Sequence, residues 1–274
     1  MLFLPAVRVI GGKVWTAAAV LSSVKVLVME EAAEAPATPE EPKEAERPRR
    51  RWWRWVLYAL VFIIALPILV PLILVPVYNF VDPVSIPMIR RHFTGHPVDR
   101  TWMPIDDISL PAKASVMMSE DGQFCRHWGV DIGALRDEFR IWREGGEPRG
   151  ASTITMQVAR NLFLWNNRSF LRKGLEIPLA LYIDLVMPKK RIMEIYLNVA
   201  QWGPVGEFGI EAGTQKALGM SSADLDWHKA SLMAVALPNP RLRKPGKPSA
   251  QLLKVAQVVE GRARLAGARI DCLK

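Results

Sequence analysis

The stretch that decides the arrangement of this chain reads Ser119-Glu120-Asp121-Gly122-Gln123-Phe124-Cys125-Arg126-His127-Trp128-Gly129. It directly follows residues 112–118, a mostly apolar segment that we interpret as a helix leading to Glu120. A carboxyl group at the end of such a helix can lie in a low-dielectric cleft, where burial raises its pKa toward values that suit proton transfer. Taken alone, however, a glutamate at a helix end is more often solvated, and His127 among aromatic neighbours is typical of a structural histidine. The chemistry therefore has to be judged from the neighbouring clusters.

Two further polar clusters lie downstream in otherwise apolar sequence, Gly150-Ala151-Ser152-Thr153-Ile154-Thr155-Met156-Gln157 and Arg172-Lys173-Gly174-Leu175-Glu176. In the first, backbone N–H groups and the hydroxyl of Ser152 or Thr153 can receive an anion at a helix start, and either hydroxyl can equally act as a plain N-cap. In the second, Arg172, Lys173 and Glu176 share one helical turn. They form either a solvated ion pair or a group that holds a divalent cation or orients a basic residue against a diphosphate.

An apolar run with no charged residue extends from Trp55 to Val81. About 20 apolar residues suffice for a helix to span a bilayer, and a soluble core helix is seldom apolar on all sides over such a length. The run contains three prolines, which can kink a helix but are tolerated in membrane spans. Five arginines interleaved with tryptophans over residues 47–55 predict that the N-terminus lies inside and that residues after about 82 lie outside.

The charge balance favours an anionic partner, because the formal net charge is +9 at pH 7. Nucleic acid is not expected, since the basic residues are scattered and no binding motif is present. Phospholipid headgroups or a phosphorylated substrate remain. The two cysteines, Cys125 and Cys272, are too few for a disulfide scaffold. The sequence leaves open whether they pair or remain thiols.

Together the clusters resemble the motifs of the peptidoglycan glycosyltransferases, and the layout resembles that of the monofunctional biosynthetic peptidoglycan transglycosylases of bacterial inner membranes. The similar motifs are, in order, Glu120-Asp121 with Phe124, His127 and Gly129; Gly150 to Gln157 running on to Arg160-Asn161-Leu162-Phe163-Leu164; Arg172-Lys173 with Glu176; Lys189 with Ile192-Met193-Glu194 and Tyr196-Leu197-Asn198; and a looser match over Ala234 to Pro240. The resemblance covers residues 85–245. One departure is Met156-Gln157, where the family usually has two glutamines.

The resemblance implies a mainly α, lysozyme-like glycosyltransferase domain that follows a single transmembrane helix and whose cleft faces the membrane. It implies polymerisation of lipid II into β-1,4-linked glycan strands, with inversion and with release of undecaprenyl diphosphate. We expect a transferase in the bacterial inner membrane, with a cytoplasmic N-terminus and a periplasmic catalytic domain. Expected partners are lipid II, the growing glycan strand, membrane lipid and other cell-wall synthesis proteins. Cross-linking would be left to another protein, because only residues 246–274 follow the matched region.

The resemblance also assigns roles to residues of this sequence. Glu120 would be the general base and Glu176 a second catalytic carboxylate. We expect no organic cofactor, and at most Mg²⁺ or another divalent cation near Glu176. Arg172, Lys173 and Lys189 would stabilise the leaving diphosphate. The remaining predicted substrate contacts are Asp121, Phe124, His127, Ser152, Thr153, Gln157, Asn161, Tyr196 and Asn198. Phe163, Leu164 and Trp165 either dip into the bilayer or lie in the core.

The apolar pattern predicts helices over residues 112–118, 131–143, 153–164, 171–187, 189–199, 221–237 and 248–266. These expectations divide the chain into five segments. They are a largely disordered cytoplasmic tail over residues 1–54, a transmembrane helix over 55–81, an extended connector over 82–110, the glycosyltransferase domain over 111–245, and a C-terminal helix and tail over 246–274. Residues 30–47 are rich in Glu, Ala and Pro, which is typical of disorder. Our hypothesis is that translation starts at Met29.

Two other interpretations fit part of the pattern. A membrane-anchored muramidase would use the same pair of carboxylates to hydrolyse glycan. It would need a strong acid for a poor leaving oxygen, whereas the basic residues beside Glu176 suit a diphosphate better. A non-catalytic cell-wall scaffold would use the acidic tail, but it has no need of Glu120 and Glu176 together. Incubation with lipid II and, separately, with purified glycan distinguishes these alternatives.

Overall fold

The computed structural model describes residues 51–146, 151–165, 167 and 169–274. Its helices and strands are, in chain order, α1 (Trp52–Val77), α2 (Ile86–Phe93), β1 (Asp99–Arg100), α3 (Leu110–Glu120), α4 (Ile132–Arg143), α5 (Ile154–Phe163), α6 (Phe170–Val186), α7 (Lys189–Val199), β2 (Glu207–Phe208), α8 (Ile210–Leu218), α9 (Trp227–Ala236) and α10 (Ala250–Arg264), with 3₁₀ turns at Ser222–Asp224 and Gly267–Leu273. The predicted mainly α architecture with one preceding apolar helix is confirmed. The predictions for the tail and for a start at Met29 concern residues that lie outside this description.

The core is organised around α3, which packs against α9 and α10. All residues of α3 from Ala112 to Met118 are buried, and the hydroxyls of Ser115 and Ser231 are 3.0 Å apart between α3 and α9. Several helices begin where the sequence supplies a polar cap whose side chain accepts a backbone N–H; these caps are Ser109, Asp131, Thr153, Ser169, Asp226 and Ser249. The buried position of α3 determines where Glu120, the last residue of the helix, reaches the protein surface.

Helix α1 has the properties of a membrane span. Its apolar window has a mean hydropathy of 3.0 and is 11% buried, and no other described helix is long and apolar enough to cross a bilayer. Such exposure is the opposite of what a soluble core helix shows. The helix continues through Pro67, Pro71 and Pro76. Its C-terminal part is attached to α6, because the Tyr182 hydroxyl donates to the carbonyl oxygen of Leu72 at 2.9 Å.

Three elements differ from the sequence prediction. The connector predicted as extended contains helix α2, because Pro87 occupies a first-turn position, where its missing N–H costs no hydrogen bond. Helix α8 was not predicted. The single helix expected over 221–237 is divided into a 3₁₀ turn and α9, because Asp226 caps a new helix. The two strands are short and parallel, with Asp99 paired to Glu207.

A disulfide bond joins Cys125 to Cys272, with their Cα atoms 5.7 Å apart. It connects the segment that follows α3 to the C-terminal 3₁₀ turn, whose Ile270 and Leu273 are buried in the main core. The sequence left open whether these cysteines pair, and the structure shows that they do.

The sequence also left open whether the segment after α5 lies in the core or is accessible to a membrane. Its residues differ in this respect, because Leu164 is buried and Trp165 is 42% exposed.

Candidate active site

Glu120 lies at the C-terminal end of α3, where the buried helix reaches the surface, and its side chain is partly buried. Burial raises the pKa of its carboxyl group above the usual value for glutamate. A hydrogen bond from Gln157 and the positive charges of Arg160 and Arg243 oppose that increase without cancelling it. Glu120 is therefore a carboxylate with an enhanced affinity for a proton.

A short hydrogen-bond chain fixes the orientation of Glu120. The amide nitrogen of Gln157 donates to Glu120 Oε2 at 3.0 Å, and the Tyr196 hydroxyl donates to Gln157 Oε1 at 3.1 Å. Burial raises the pKa of Tyr196 well above its usual value, so its hydroxyl remains a donor. With both ends of the amide engaged, Gln157 has one orientation, and its N–H points at the carboxylate.

Asp121 and Thr153 join the Glu120 segment to the Gly/Ser/Thr cluster. The Asp121 carboxylate accepts hydrogen bonds from His127 Nε2 at 2.9 Å and from the backbone N–H of Ile154 at 3.0 Å. The Thr153 hydroxyl caps α5 and donates to the carbonyl oxygen of Gly129 at 2.6 Å. Gly129 has φ +71°, and a Cβ there would lie 2.3 Å from the carbonyl oxygen of Ala180. These contacts make the two segments one rigid unit, so Asp121, His127 and Thr153 serve to position it.

Phe124 and Lys189 support this unit from within. Phe124 is completely buried, and the Lys189 ammonium lies 4.7 Å from the centre of its ring. The same ammonium donates to the carbonyl oxygen of His127 at 2.7 Å and pairs with Asp184 at 2.5 Å. In this arrangement Phe124 exposes no surface that a substrate could contact, and the Lys189 ammonium is paired with groups of the protein itself. Both therefore position this unit in the structure, and the direct substrate contact expected of them stays a prediction.

A second polar centre forms at the start of α6. The Lys173 ammonium donates to the Ser152 hydroxyl at 2.6 Å and to Glu176 Oε2 at 3.2 Å, and Arg172 pairs with the other oxygen of Glu176. Glu176 is 1% exposed and Arg172 is 7% exposed. Lys173 is the exposed member of the group, with a third of its side chain accessible. Glu176 thus orients the two cations, and its role as a second catalytic carboxylate stays a prediction.

Arg160 connects the two centres electrostatically, and it was absent from the predicted site. Its charge favours ionisation of Glu120. It also lowers the pKa of Lys173, in the same direction as the larger effect of burial and in opposition to Glu176, which raises that pKa. Its position three residues after Gln157 on α5 was a usable signal, because such residues share a helix face. Arg243 also acts on Glu120, but it comes from a distant loop for which the sequence offered no signal.

The network of Gln157 and Tyr196 borders a cavity of about 260 Å³, whose wall also includes Arg160, Asn161, Gln201 and Pro240. Asn161, which the sequence predicted to contact substrate, thus lines this cavity. Asn198 does not line this cavity. It is fully buried, and its side chain binds the backbone N–H and carbonyl of Met103 at 2.8 Å each. Its structural role is to hold the connector against α7.

Met156 occupies the position at which this chain departs from the family pattern. It is fully buried in a small cluster with Val130 and Ala180, whereas Gln157 faces Glu120. Met156, which stands where the family usually has a glutamine, therefore lies on the side of α5 that is turned away from the cavity.

The residues present do not fit a resident Mg²⁺ ion. Mg²⁺ prefers octahedral coordination by oxygen atoms, but both oxygens of Glu176 are occupied by Arg172 and Lys173. Within the described parts of the chain, no group of three or more Asp, Glu, His or Cys side chains is placed to hold a metal ion. We assign no step to a metal.

Comparison with known proteins identifies the family. A transglycosylase family model matches residues 88–264. The biosynthetic peptidoglycan transglycosylase of Brucella suis is 49% identical over 221 residues, which are 77% of this chain and 97% of that protein. The proteins of the same name from Agrobacterium fabrum and Rhizobium meliloti are 50% and 47% identical, over 75% and 78% of this chain and 92% and 91% of theirs. This chain therefore belongs to the family of biosynthetic peptidoglycan transglycosylases.

Proposed function

We propose that this peptidoglycan transglycosylase polymerises lipid II, a disaccharide-pentapeptide on undecaprenyl diphosphate, with Glu120 as the general base. The observation that carries the proposal is the placement of Glu120. Its carboxyl group has a raised pKa and accepts a hydrogen bond from Gln157, which in turn borders a cavity lined by Arg160 and Asn161. A base of this kind suits removal of a proton from a sugar hydroxyl, and the positive charge of Arg160 suits a substrate that carries phosphate.

In the proposed reaction the 4-hydroxyl of the acceptor sugar loses its proton to Glu120 as its oxygen attacks the anomeric carbon of the donor. The bond from that carbon to the diphosphate oxygen breaks on the opposite face, so the configuration inverts and a β-1,4 bond forms. The diphosphate leaves as an anion and needs no strong acid. Arg160 and Lys173 are partly exposed cations suited to stabilising it. Arg172 and Glu176 hold Lys173 in place.

A lipid-linked substrate is supported by an apolar groove between α1 and α6. Its volume is about 620 Å³, and it is lined by apolar side chains of both helices with Tyr182 as the polar exception. Since α1 has the length of a membrane span, the groove would open toward lipid hydrocarbon. Lys173 belongs to the same helix as Leu175 and Pro178 of the groove wall. A diphosphate near Lys173 and a polyprenyl chain in the groove are therefore geometrically compatible.

We further propose that the N-terminus is cytoplasmic and that the catalytic domain lies on the outer face of the inner membrane. The arginines before α1 support this orientation. So does the disulfide between Cys125 and Cys272, because disulfides persist in oxidising compartments such as the periplasm. Membrane lipid and other wall-synthesis proteins remain proposed partners. The dependence on Mg²⁺ that the resemblance implies stays a prediction, although the contacts of Glu176 leave it no free oxygen for a metal, and polymerisation in the presence of a chelator tests it.

The central test is polymerisation of lipid II by the detergent-solubilised full chain and by Glu120→Gln. We expect the substitution to lower the rate by about 10²- to 10⁴-fold, the usual contribution of a positioned general base. Glu144→Gln is the matched control, because Glu144 is an exposed residue after α4, and it should polymerise at the wild-type rate. Normal polymerisation by Glu120→Gln would refute the assignment. Shortening of purified glycan strands by the wild type would instead favour a hydrolase.

A further inference from the structure

A series of cavities extends from Gln157, the hydrogen-bond partner of Glu120, along the loop between α9 and α10. The cavity beside Gln157 includes Pro240 in its wall, and Pro240 also lines a second cavity of about 250 Å³. The second cavity shares Arg243, Lys244 and Lys247 with a third, of about 270 Å³. Because each cavity shares at least one wall residue with the next, the three cavities lie side by side along this loop, and we call their combined lining the loop track.

The loop track carries positive charge. Lys216, Arg243, Lys244 and Lys247 line its second cavity, and the last three also line its third. Glu207 lines the second cavity as well, but it is 4% exposed and its Oε2 accepts the backbone N–H groups of Val205 and Gly206 at 2.9 and 3.0 Å. Its charge is thus directed inward, whereas Lys244 and Lys247 are exposed. The accessible charge of the track is therefore cationic.

The loop that presents these lysines is held firmly in place. A Cβ on Gly246 would lie 2.2 Å from the carbonyl oxygen of Ala217, so the loop backbone touches α8 closely. Pro245 is buried, and the Arg243 guanidinium donates to the carbonyl oxygen of Val235 at 2.6 Å. A rigid cationic loop loses little conformational entropy when an anion binds.

We infer that the loop track holds the growing strand by the carboxylates of its stem peptides. The inference rests on the proposed function, since the product of that reaction is a glycan that bears an acidic peptide on each repeating disaccharide. A strand that leaves the cavity beside Gln157 meets Pro240 first and the lysines next. The track would keep the polymer bound between additions, so it would set strand length.

An anionic membrane surface is the other class of partner that a cationic loop can bind. The structure favours the strand, because the lysine-lined cavities begin next to the cavity beside Gln157, with Pro240 in the wall of both. The lining of the third cavity is also mixed, since it includes Leu242 and Val255 as well as the two lysines. Such a mixed lining suits a peptide better than a plane of headgroups.

The first test compares product length for the wild type and for the Lys244→Ala/Lys247→Ala variant acting on lipid II. We expect the ratio of long strands to the shortest products to fall several-fold in the variant. The control is Lys254→Ala/Arg262→Ala, which removes the same charge from exposed positions of α10 outside the three cavities. The control should give the wild-type length distribution. An unchanged distribution in the Lys244→Ala/Lys247→Ala variant would overturn the inference.

The second test measures binding without turnover, by fluorescence anisotropy of a labelled, uncross-linked peptidoglycan fragment. The Lys244→Ala/Lys247→Ala variant should bind the fragment about tenfold more weakly, and amidation of the peptide carboxylates should weaken wild-type binding similarly. Equal binding by both proteins, or lysine-dependent binding of phosphatidylglycerol vesicles alone, would overturn the inference. A wild type that binds the fragment but makes no polymer would instead refute the proposed function.

Discussion

At the scale of single residues, the polymerisation rate should depend on pH through Glu120 and Lys173. Glu120 acts as a base only when ionised, and burial raises its pKa, so the acidic fall in rate should occur above the usual pKa of glutamate. Burial lowers the pKa of Lys173, so the alkaline fall should begin below the usual pKa of lysine. Initial rates across pH measure both limits.

Lys173→Arg separates the two effects, because a guanidinium stays charged throughout this range. The alkaline limit should move upward in this variant while the acidic limit stays where it is. An alkaline limit that does not move would show that Lys173 is not the group responsible.

Glu120 should also reduce the stability of the folded protein. A carboxyl group whose pKa is higher in the folded than in the unfolded state binds its proton more tightly when folded. Its contribution is therefore favourable at low pH, is lost as pH rises from the unfolded to the folded pKa, and remains lost at neutral pH. Glu120→Gln should raise Tm at pH 7 and should make no difference below the usual pKa of glutamate. A lower Tm for this variant at pH 7 would contradict the argument.

At the scale of secondary-structure elements, the groove between α1 and α6 should select for the lipid portion of the substrate. Leu175 lines the groove, and Leu175→Trp should fill part of it. We expect KM to increase several-fold for a long-chain polyprenyl substrate and to change little for a short-chain analogue. Leu181→Trp is the control, because Leu181 belongs to the same helix but does not line the groove. Equal effects of Leu175→Trp on both substrates would argue against lipid in the groove.

The local sequence was sufficient to predict most of these elements. Helices α3, α4, α5, α6, α7 and α10 were expected within a few residues of their observed bounds, because caps and helical periodicity are local signals. Helix α8 begins directly after Gly209, which has φ +84° and provides no side-chain cap, so the usual start signal was missing. Helix α2 was hidden by the prolines around it, which favour an extended interpretation.

At the scale of the whole molecule, the disulfide should contribute to both stability and activity. It closes a loop across 147 positions, and it anchors the segment that carries Asp121 and Phe124. Cys125→Ser/Cys272→Ser should lower the free energy of unfolding by about 2–4 kcal/mol. Thermal unfolding with and without a reducing agent measures this effect. A reductant should lower the Tm of the wild type but not that of the variant, and identical curves for all four samples would contradict the prediction.

What the sequence by itself determined is the apolar span, the helical character of the domain and most of the candidate side chains for the chemistry, because each follows from residues near one another in the chain. The tertiary structure decided which of those side chains meet the cavity. The packing of the helices buries Phe124, Glu176 and Asn198, which support neighbouring groups. It also leaves Gln157 facing Glu120 and brings Arg243, from a distant loop, close enough to act on Glu120. The physical reason is that exposure and long-range proximity depend on how all the helices pack together, and no local pattern encodes that packing.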